Sequence, residues 1–160
     1  MEQSTSVLFV CLGNICRSPT AEAVFKQKAA AAGLDLVIDS AGTHGYHIGN
    51  PPDKRSQAAG TERGYSFKGL KCRRVEDEDF EKFDYILAMD NSNLSNLREM
   101  SSPQYYDKIK LFLEFANLQG AELRDLEVPD PYYGGKRGFE LVLDLIEQAS
   151  DGLIAHIKAS

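Results

Sequence analysis

A short run near the start of the chain contains residue types that together can bind and attack a phosphate ester. In order, these residues are Cys11, Leu12, Gly13, Asn14, Ile15, Cys16, Arg17 and Ser18. A phosphate ester repels nucleophiles through its own negative charge, so a catalyst must surround the phosphoryl oxygens with positive charge. A thiol can supply the nucleophile, and a planar guanidinium can hold two phosphoryl oxygens at once. The run therefore predicts a phosphate-binding loop that carries its own nucleophile.

The backbone of this run is expected to add positive partial charge to the loop. Loop amides and the unpaired N–H groups at a helix start both bind anions. Gly13 permits a tight turn, and Asn14 tolerates a left-handed conformation. The same surroundings favour the thiolate form of Cys11, which is the nucleophilic form. We therefore expect a reactive Cys11 close to Arg17.

Ser18 has two compatible interpretations. It can be the N-cap of a helix that has Pro19 at its first position. Its hydroxyl can also donate to the sulfur of Cys11, which would stabilise the thiolate and later the leaving thiolate. Both interpretations place Ser18 where the loop meets the following helix.

The elements that must position this loop follow from alternating apolar and helical patterns. The predicted strands are residues 7–10, 36–38, 85–89 and 109–113. The predicted helices are residues 19–32, 54–63 and 92–100, and Asp53 is the predicted N-cap of the second. A last helix is predicted where apolar residues share one face between Phe139 and Ile157. Segments 41–53 and 127–138 are rich in glycine and proline and are predicted loops.

Strands that alternate with helices imply a parallel sheet covered by helices on both faces. Ligands bind such sheets beyond the carboxyl ends of the strands. Cys11 directly follows the first predicted strand. The predicted phosphate-binding loop therefore lies at the edge of the sheet where a ligand is expected.

Composition excludes several classes of protein. A chain of 160 residues with 42% hydrophobic residues suits one globular domain with a real core. The longest apolar run near the N-terminus, residues 7–12, is too short to cross a bilayer, and residues 1–6 lack the basic region of a secretory signal. We therefore expect a cytoplasmic location and no membrane insertion.

Charge and the metal-binding residue types give further expectations. A net charge of −6 disfavours nucleic-acid binding, which usually needs a basic face. Three cysteines argue against a disulfide framework. The three histidines do not cluster with cysteines at metal-ligand spacing. We predict neither a metal nor an organic cofactor.

Two segments resemble one known family. Residues 7–25, VLFVCLGNICRSPTAEAVF, are similar to the active-site signature of low-molecular-weight protein tyrosine phosphatases, and residues 130–134, DPYYG, to that family's late acid loop. Weaker matches are residues 38–42 and 85–90. The resemblance spans nearly the whole chain and implies a single phosphatase domain over residues 1–160, without cofactor. The implied fold is a three-layer α/β sandwich with a four-stranded parallel sheet in the order 2-1-3-4, and family members are often monomeric.

The resemblance also implies a mechanism on phosphotyrosyl proteins. Cys11 would be the nucleophile that forms a phosphocysteine, while Arg17 and the loop amides of residues 12–16 bind phosphate. Asp130 would protonate the leaving phenolate and then activate the water that releases phosphate. A phenol of pKa about 10 leaves with difficulty unless it receives a proton.

Other residues receive supporting roles by the same resemblance. Asn14, Ser18 and Ser40 resemble the network that holds the loop, and Asp90 resembles a carboxylate that positions Arg17 or the loop. The expected walls of the substrate pocket are the aromatic residues Tyr46, Tyr132 and Tyr133. Leu70 stands where several members have a histidine, so we expect the network around Asn14 to lack one partner.

Cys16 and Ile15 bear on regulation and on alternative reactions. Cys16 can form a disulfide with an oxidised Cys11 and so protect it from further oxidation.

Arsenate reductases on this scaffold relay a disulfide through further cysteines, but only Cys72 follows Cys16. The phosphoarginine-specific branch tends to carry threonine at the position of Ile15, whose aliphatic side chain suits an aromatic ring better. A non-catalytic phosphotyrosine-binding module is disfavoured because nucleophile, arginine and acid are all present.

Overall fold

The computed structural model describes residues 5–45, 47–116, 126–131 and 135–160. The strands are β1 (Ser6–Cys11), β2 (Val37–Gly42), β3 (Tyr85–Ala88) and β4 (Ile109–Leu111). The α-helices are α1 (Arg17–Ala31), α2 (Lys54–Glu62), α3 (Asp77–Lys82), α4 (Asn91–Met100) and α5 (Gly135–Ala159). Two 3₁₀-helices flank β4, at Pro103–Lys108 and Phe112–Phe115.

The four strands form a parallel sheet in the order β2-β1-β3-β4, as predicted. All six residues of the central strand β1 are buried, because helices cover both faces of the sheet. On one face, Phe9 packs against Phe25 of α1 and Phe112, with ring centroids 5.5 and 4.8 Å away. On the other, Leu8 and Val10 share a core with residues of α3 and α4. The three-layer α/β sandwich is therefore confirmed.

Helix α3 was not predicted, because five of its six residues are charged and the sequence there has no apolar periodicity. Its one apolar residue, Phe80, is almost fully buried in the core. At its start, Asp79 accepts a 2.8 Å hydrogen bond from the backbone N–H of Glu76 as part of a capping box. Tertiary burial and capping together stabilise a helix that pattern alone does not indicate.

Helix α1 begins at Arg17, so the prediction that Ser18 is the N-cap and Pro19 the first helical residue is wrong. The N-cap is Cys16, whose carbonyl accepts a 2.7 Å hydrogen bond from the hydroxyl of Thr20. The chain enters the helix directly from the loop, without an intervening turn. Pro19 is tolerated in the first turn because N–H groups there have no helical partner.

Other boundaries also differ from the prediction, among them the following three. Strand β2 extends to Gly42, since residues 37–42 pair in register with the whole of β1. Strand β4 ends at Leu111, because the side chain of Glu114 accepts the Leu111 N–H and closes a 3₁₀ turn. Helix α5 begins at Gly135, within the predicted loop. The predicted N-cap of α2 is confirmed, since Asp53 accepts hydrogen bonds from the N–H groups of Arg55 and Ser56.

One arginine forms several ion pairs with helix α5. Arg63, just beyond α2, forms ion pairs with Glu140, Asp144 and Glu147 on one face of α5 at 2.6 to 2.9 Å. The opposite face of α5 buries its apolar residues in the core with α1. Among the described residues, no helix combines the length and hydropathy that crossing a membrane requires.

Candidate active site

The loop between β1 and α1 crosses the carboxyl end of β2. The backbone N–H groups of Thr43 and His44 donate to the carbonyls of Cys11 and Leu12 at 3.0 and 2.9 Å. A Cβ on Gly42 would lie 2.9 Å from three backbone atoms of residues 12–14. Because real Cβ atoms do not approach so closely, only glycine lets the loop lie this near the sheet.

Asn14 organises the interior of the loop. Its backbone is left-handed, with φ of 56°, and its side chain is buried. The side-chain Nδ2 donates to the hydroxyls of Ser18 and Ser40 at 2.8 and 3.0 Å. Its Oδ1 accepts a 2.9 Å hydrogen bond from the backbone N–H of Arg73. Both amide hydrogens and the amide oxygen are therefore engaged.

The expected gap in this network is filled by backbone rather than by a side chain. Leu70, the residue that the sequence analysis aligned with a histidine of the family, is half-buried and packs against the core. The Arg73 N–H that reaches Asn14 is held in place by its own side chain, which binds Asp79 at 2.9 and 3.1 Å and Asp39 at 3.2 Å. Two elements, β2 and α3, thus fix the segment that supports Asn14.

The hydroxyl of Ser18 lies against the sulfur of Cys11. The Oγ–Sγ distance is 3.0 Å, and both side chains are buried. The Ser18 hydroxyl also lies 3.4 Å from the carbonyl oxygen of Ala41. The first turn of α1 therefore presents a hydroxyl to the thiol, although Ser18 caps no helix.

Arg17 is 5% exposed and turned toward the end of β3. Its Nη1 donates to Asp90 Oδ2 at 2.7 Å and to the Val128 carbonyl at 3.0 Å. Burial alone would lower the pKa of Arg17, but negative charge at Cys11, the contact with Asp90 and, more weakly, the charge of Asp130 raise it above its ordinary value. The guanidinium therefore stays charged beside the thiol.

The segment that carries Asp130 is attached to the same arginine. Val128 accepts the Arg17 hydrogen bond, and its own N–H donates to the Met89 carbonyl at 2.7 Å. Just before it, Glu127 accepts a 2.8 Å hydrogen bond from the backbone N–H of Asn91. Asp130 itself is exposed. The end of β3 and Arg17 together hold the segment that leads to Asp130, whose charge contributes to the raised pKa of Arg17.

Cys16 differs from Cys11 in its surroundings. It is 4% exposed, and burial raises its pKa to about 12 against a smaller lowering by a hydrogen bond with Ser56. Cys16 is therefore a thiol at neutral pH. All three cysteines are free.

The structure brings together most, but not all, of the predicted site. The loop residues Cys11 to Ser18, with Ser40 and Asp90, form one cluster, and Asp130 acts on it through its charge. The predicted pocket residues Tyr46, Tyr132 and Tyr133 lie outside the described residues. Within those described, no group of three or more His, Cys, Asp or Glu side chains is arranged to hold a metal ion.

Glu22 is a side chain of this network that sequence reasoning missed. Glu22 is 4% exposed and accepts a 2.6 Å hydrogen bond from the Ser40 hydroxyl. Glu22 lies four residues after Ser18, so both side chains are on one side of α1. The sequence could have indicated Glu22 as an acidic residue among small residues that the helix buries. The backbone of Val128 left no comparable signal, since a carbonyl carries no residue-type information.

Comparison with known proteins agrees with this geometry. The sequence model of the family described as low molecular weight phosphotyrosine protein phosphatase matches residues 6–160. Low molecular weight protein-tyrosine-phosphatase YfkJ of Bacillus subtilis is 46% identical over 155 residues, covering 96% of each chain. A crystal structure of a protein tyrosine phosphatase from Entamoeba histolytica superimposes with a TM-score of 0.91 at 44% identity over 98% of each chain. A Drosophila arginine phosphatase gives a TM-score of 0.86 at 35% identity, over 95% of this chain and 97% of that one. The chain therefore belongs to the low molecular weight phosphotyrosine protein phosphatase family.

Proposed function

We propose that this protein hydrolyses phosphotyrosine in proteins through a phosphocysteine intermediate. The observation that carries the proposal is the placement of a thiol, a buried guanidinium and a hydroxyl on one loop. Ser18 lies 3.0 Å from the Cys11 sulfur, and Arg17 is charged and held by Asp90 at 2.7 Å. This set supplies a nucleophile and positive charge for the phosphoryl oxygens.

In the first step, the Cys11 thiolate attacks phosphorus and the bond from phosphorus to the phenolic oxygen breaks. Asp130, in its protonated form, gives its proton to the departing oxygen, so the product leaves as a neutral phenol. Arg17 and the loop amides bind the phosphoryl oxygens throughout, which lowers the energy of the charged transition state.

In the second step, water attacks phosphorus and the bond from phosphorus to sulfur breaks. The Asp130 carboxylate takes the proton of the water, which returns Asp130 to its starting form. Ser18 stabilises the Cys11 thiolate as it leaves. Inorganic phosphate is released and no outside reactant besides water is consumed.

Substrate preference is inferred from the loop. Ile15 is half-buried at the loop and offers an aliphatic surface that suits an aromatic ring. We propose that Tyr46, Tyr132 and Tyr133 flank that ring. We also predict that the protein is a monomer, lies in the cytoplasm and does not bind nucleic acid.

Phosphoarginine hydrolysis is the second candidate, because an arginine phosphatase is among the similar structures. The aliphatic Ile15 favours the aromatic ester over the guanidinium. Arsenate reduction is disfavoured by the supply of thiols, since Cys72 is the one cysteine that follows Cys16.

Three matched peptides test the proposal. Hydrolysis of peptides bearing phosphotyrosine, phosphoserine or phosphoarginine at the same position should favour phosphotyrosine, and Cys11→Ser should abolish it. Preference for either of the other two peptides refutes the substrate assignment, and activity in Cys11→Ser refutes the covalent mechanism.

A second experiment tests the role of Asp130. Asp130→Asn should lose more activity on a phosphotyrosine peptide than on an aryl phosphate whose phenol is more acidic, because only the former needs the proton. Equal losses on both substrates would contradict the role of general acid.

A further inference from the structure

Glu22 is a buried carboxylate that the proposed reaction does not use. Its Oε2 lies 2.6 Å from the Lys26 ammonium, and its Oε1 accepts the hydroxyl hydrogen of Ser40 at 2.6 Å. Burying a carboxylate is costly, so its retention inside α1 calls for a reason. We propose that Glu22 is a positioning residue that sets the direction of the hydrogen bonds leading to Cys11. This inference rests on the proposed function, in which Cys11 is the nucleophile.

The direction is set first at Ser40. A carboxylate that is paired with an ammonium group has no proton to donate, so Ser40 must give its single hydrogen to Glu22. The Ser40 oxygen can then only accept from its other neighbour, Asn14. The 3.0 Å contact from Asn14 Nδ2 matches this requirement.

A second group, the backbone N–H of Arg73, favours the same orientation of the Asn14 amide. The backbone N–H of Arg73 can only donate, and it lies 2.9 Å from Asn14 Oδ1. Nδ2 must therefore face the two serines, and the hydrogen not used by Ser40 goes to Ser18 at 2.8 Å.

The consequence appears at Ser18. Because its oxygen accepts from Asn14, its own hydrogen is left for either Cys11 Sγ at 3.0 Å or the Ala41 carbonyl at 3.4 Å. The shorter contact, to a sulfur that carries charge as the thiolate, is the stronger one. Ser18 therefore donates to Cys11, and Glu22 and the Arg73 N–H jointly favour the direction of the bonds that lead there.

Glu22→Gln tests the proposal because it keeps the shape and removes the charge. Beside the Lys26 ammonium, the amide of the introduced glutamine turns its oxygen to Lys26 and its N–H₂ group to Ser40. Ser40 must then point its hydrogen at Asn14 Nδ2, which is also a donor. This donor–donor contact opposes the orientation that the Arg73 N–H favours, so the Asn14 amide holds Ser18 less firmly and Ser18 donates less to Cys11.

The readout is the rate at which iodoacetamide alkylates Cys11 at one fixed pH, chosen on the acid side of the parent's own curve of alkylation rate against pH, where the rate follows the thiolate fraction. Glu22→Gln should slow alkylation about tenfold, the effect of one hydrogen bond to a charged group. A merely loosened loop would expose Cys11 and speed alkylation, so the two explanations predict opposite signs. Since alkylation requires no phosphatase activity, failure here is distinguishable from failure of the proposed function.

Further variants separate direction from packing. Adding Lys26→Met to Glu22→Gln lets the amide oxygen face Ser40 again and should restore alkylation toward the parent rate. In a Ser40→Ala background, Glu22→Gln should have little further effect, because its link to Cys11 is already cut. Glu140→Gln is the matched control, since it breaks a 2.6 Å helix ion pair with Arg63 and should leave the rate unchanged.

The proposal is overturned if folded Glu22→Gln is alkylated at the parent rate or faster. It is also overturned if the effects of Glu22→Gln and Ser40→Ala on the rate multiply in the double variant. If Glu22→Gln does not fold, Ser40→Ala alone decides. It must slow alkylation, and a parent rate there also overturns the proposal.

Discussion

The ion pair between Arg17 and Asp90 gives the sharpest test of how the loop holds its guanidinium. Asp90→Asn keeps the shape of the side chain and its role at the start of α4, where Oδ1 accepts the Asn93 N–H at 2.7 Å. Asparagine caps helices as well as aspartate does. The amide N–H₂ group would instead face Arg17 Nη1, so two donors meet where an ion pair was.

The magnitude follows from the contacts that remain. A hydrogen bond to a charged group contributes about 1.5–3 kcal/mol. Arg17 keeps its 3.0 Å bond to the Val128 carbonyl, and the Asp90 side chain is 21% exposed to screening solvent. We therefore expect a loss of about 2 kcal/mol. If this loss falls on transition-state binding, kcat/KM decreases about 30-fold.

The assay compares kcat/KM for a phosphotyrosine peptide with the inhibition constant of inorganic phosphate. In Asp90→Asn, kcat/KM should fall and the inhibition constant of phosphate should rise, because Arg17 binds phosphate in substrate and product alike. Asp151→Asn is the control, since its ion pair with Lys28 is at the surface and contributes little. A folded Asp90→Asn protein with both constants within about twofold of the parent, a difference of less than about 0.5 kcal/mol, would refute this account of Arg17.

Four further predictions concern the loop, helix α5 and Cys16. Gly42→Ala should displace residues 12–14 and remove most activity, because the added Cβ would lie 2.9 Å from backbone atoms of the loop. The affinity for inorganic phosphate measures the displacement, and an unchanged affinity would contradict the prediction. Gly152→Ala places a Cβ on top of the Phe115 carbonyl oxygen and should destabilise the protein by about 1–3 kcal/mol, as measured by thermal unfolding. In the same helix, Gly138→Ala, with ordinary contacts from 3.5 Å, should not. Cys16, whose pKa burial raises to about 12, should resist iodoacetamide at neutral pH in peptide mapping. If its thiol displaces water from peroxide-oxidised Cys11 to form a disulfide, Cys16→Ser should recover less activity after thiol treatment, whereas equal recovery would exclude that protection.

Sequence alone predicted the features that depend on residue type and short spacing. The apolar run before Cys11 and the spacing to Arg17 and Ser18 predict a strand, a loop and a helix start, and the alternation of elements predicts the parallel sheet. These inferences hold because such features are local. The acidic helix α3 escaped prediction because its stability comes from the burial of Phe80 in a core assembled from distant segments.

Tertiary structure decided which groups hold the loop. The bond from Arg73 to Asn14 spans 59 residues, and the bond from Arg17 to Val128 spans 111. Both use backbone atoms, which every residue possesses, so no pattern of side chains could indicate them. Glu22 had a signal in its spacing from Ser18, but only the fold shows that its carboxylate meets Ser40 on a neighbouring strand. Sequence thus determines the reactive groups of this protein, while their orientation depends on directional hydrogen bonds that exist only once β1, β2 and α1 have packed.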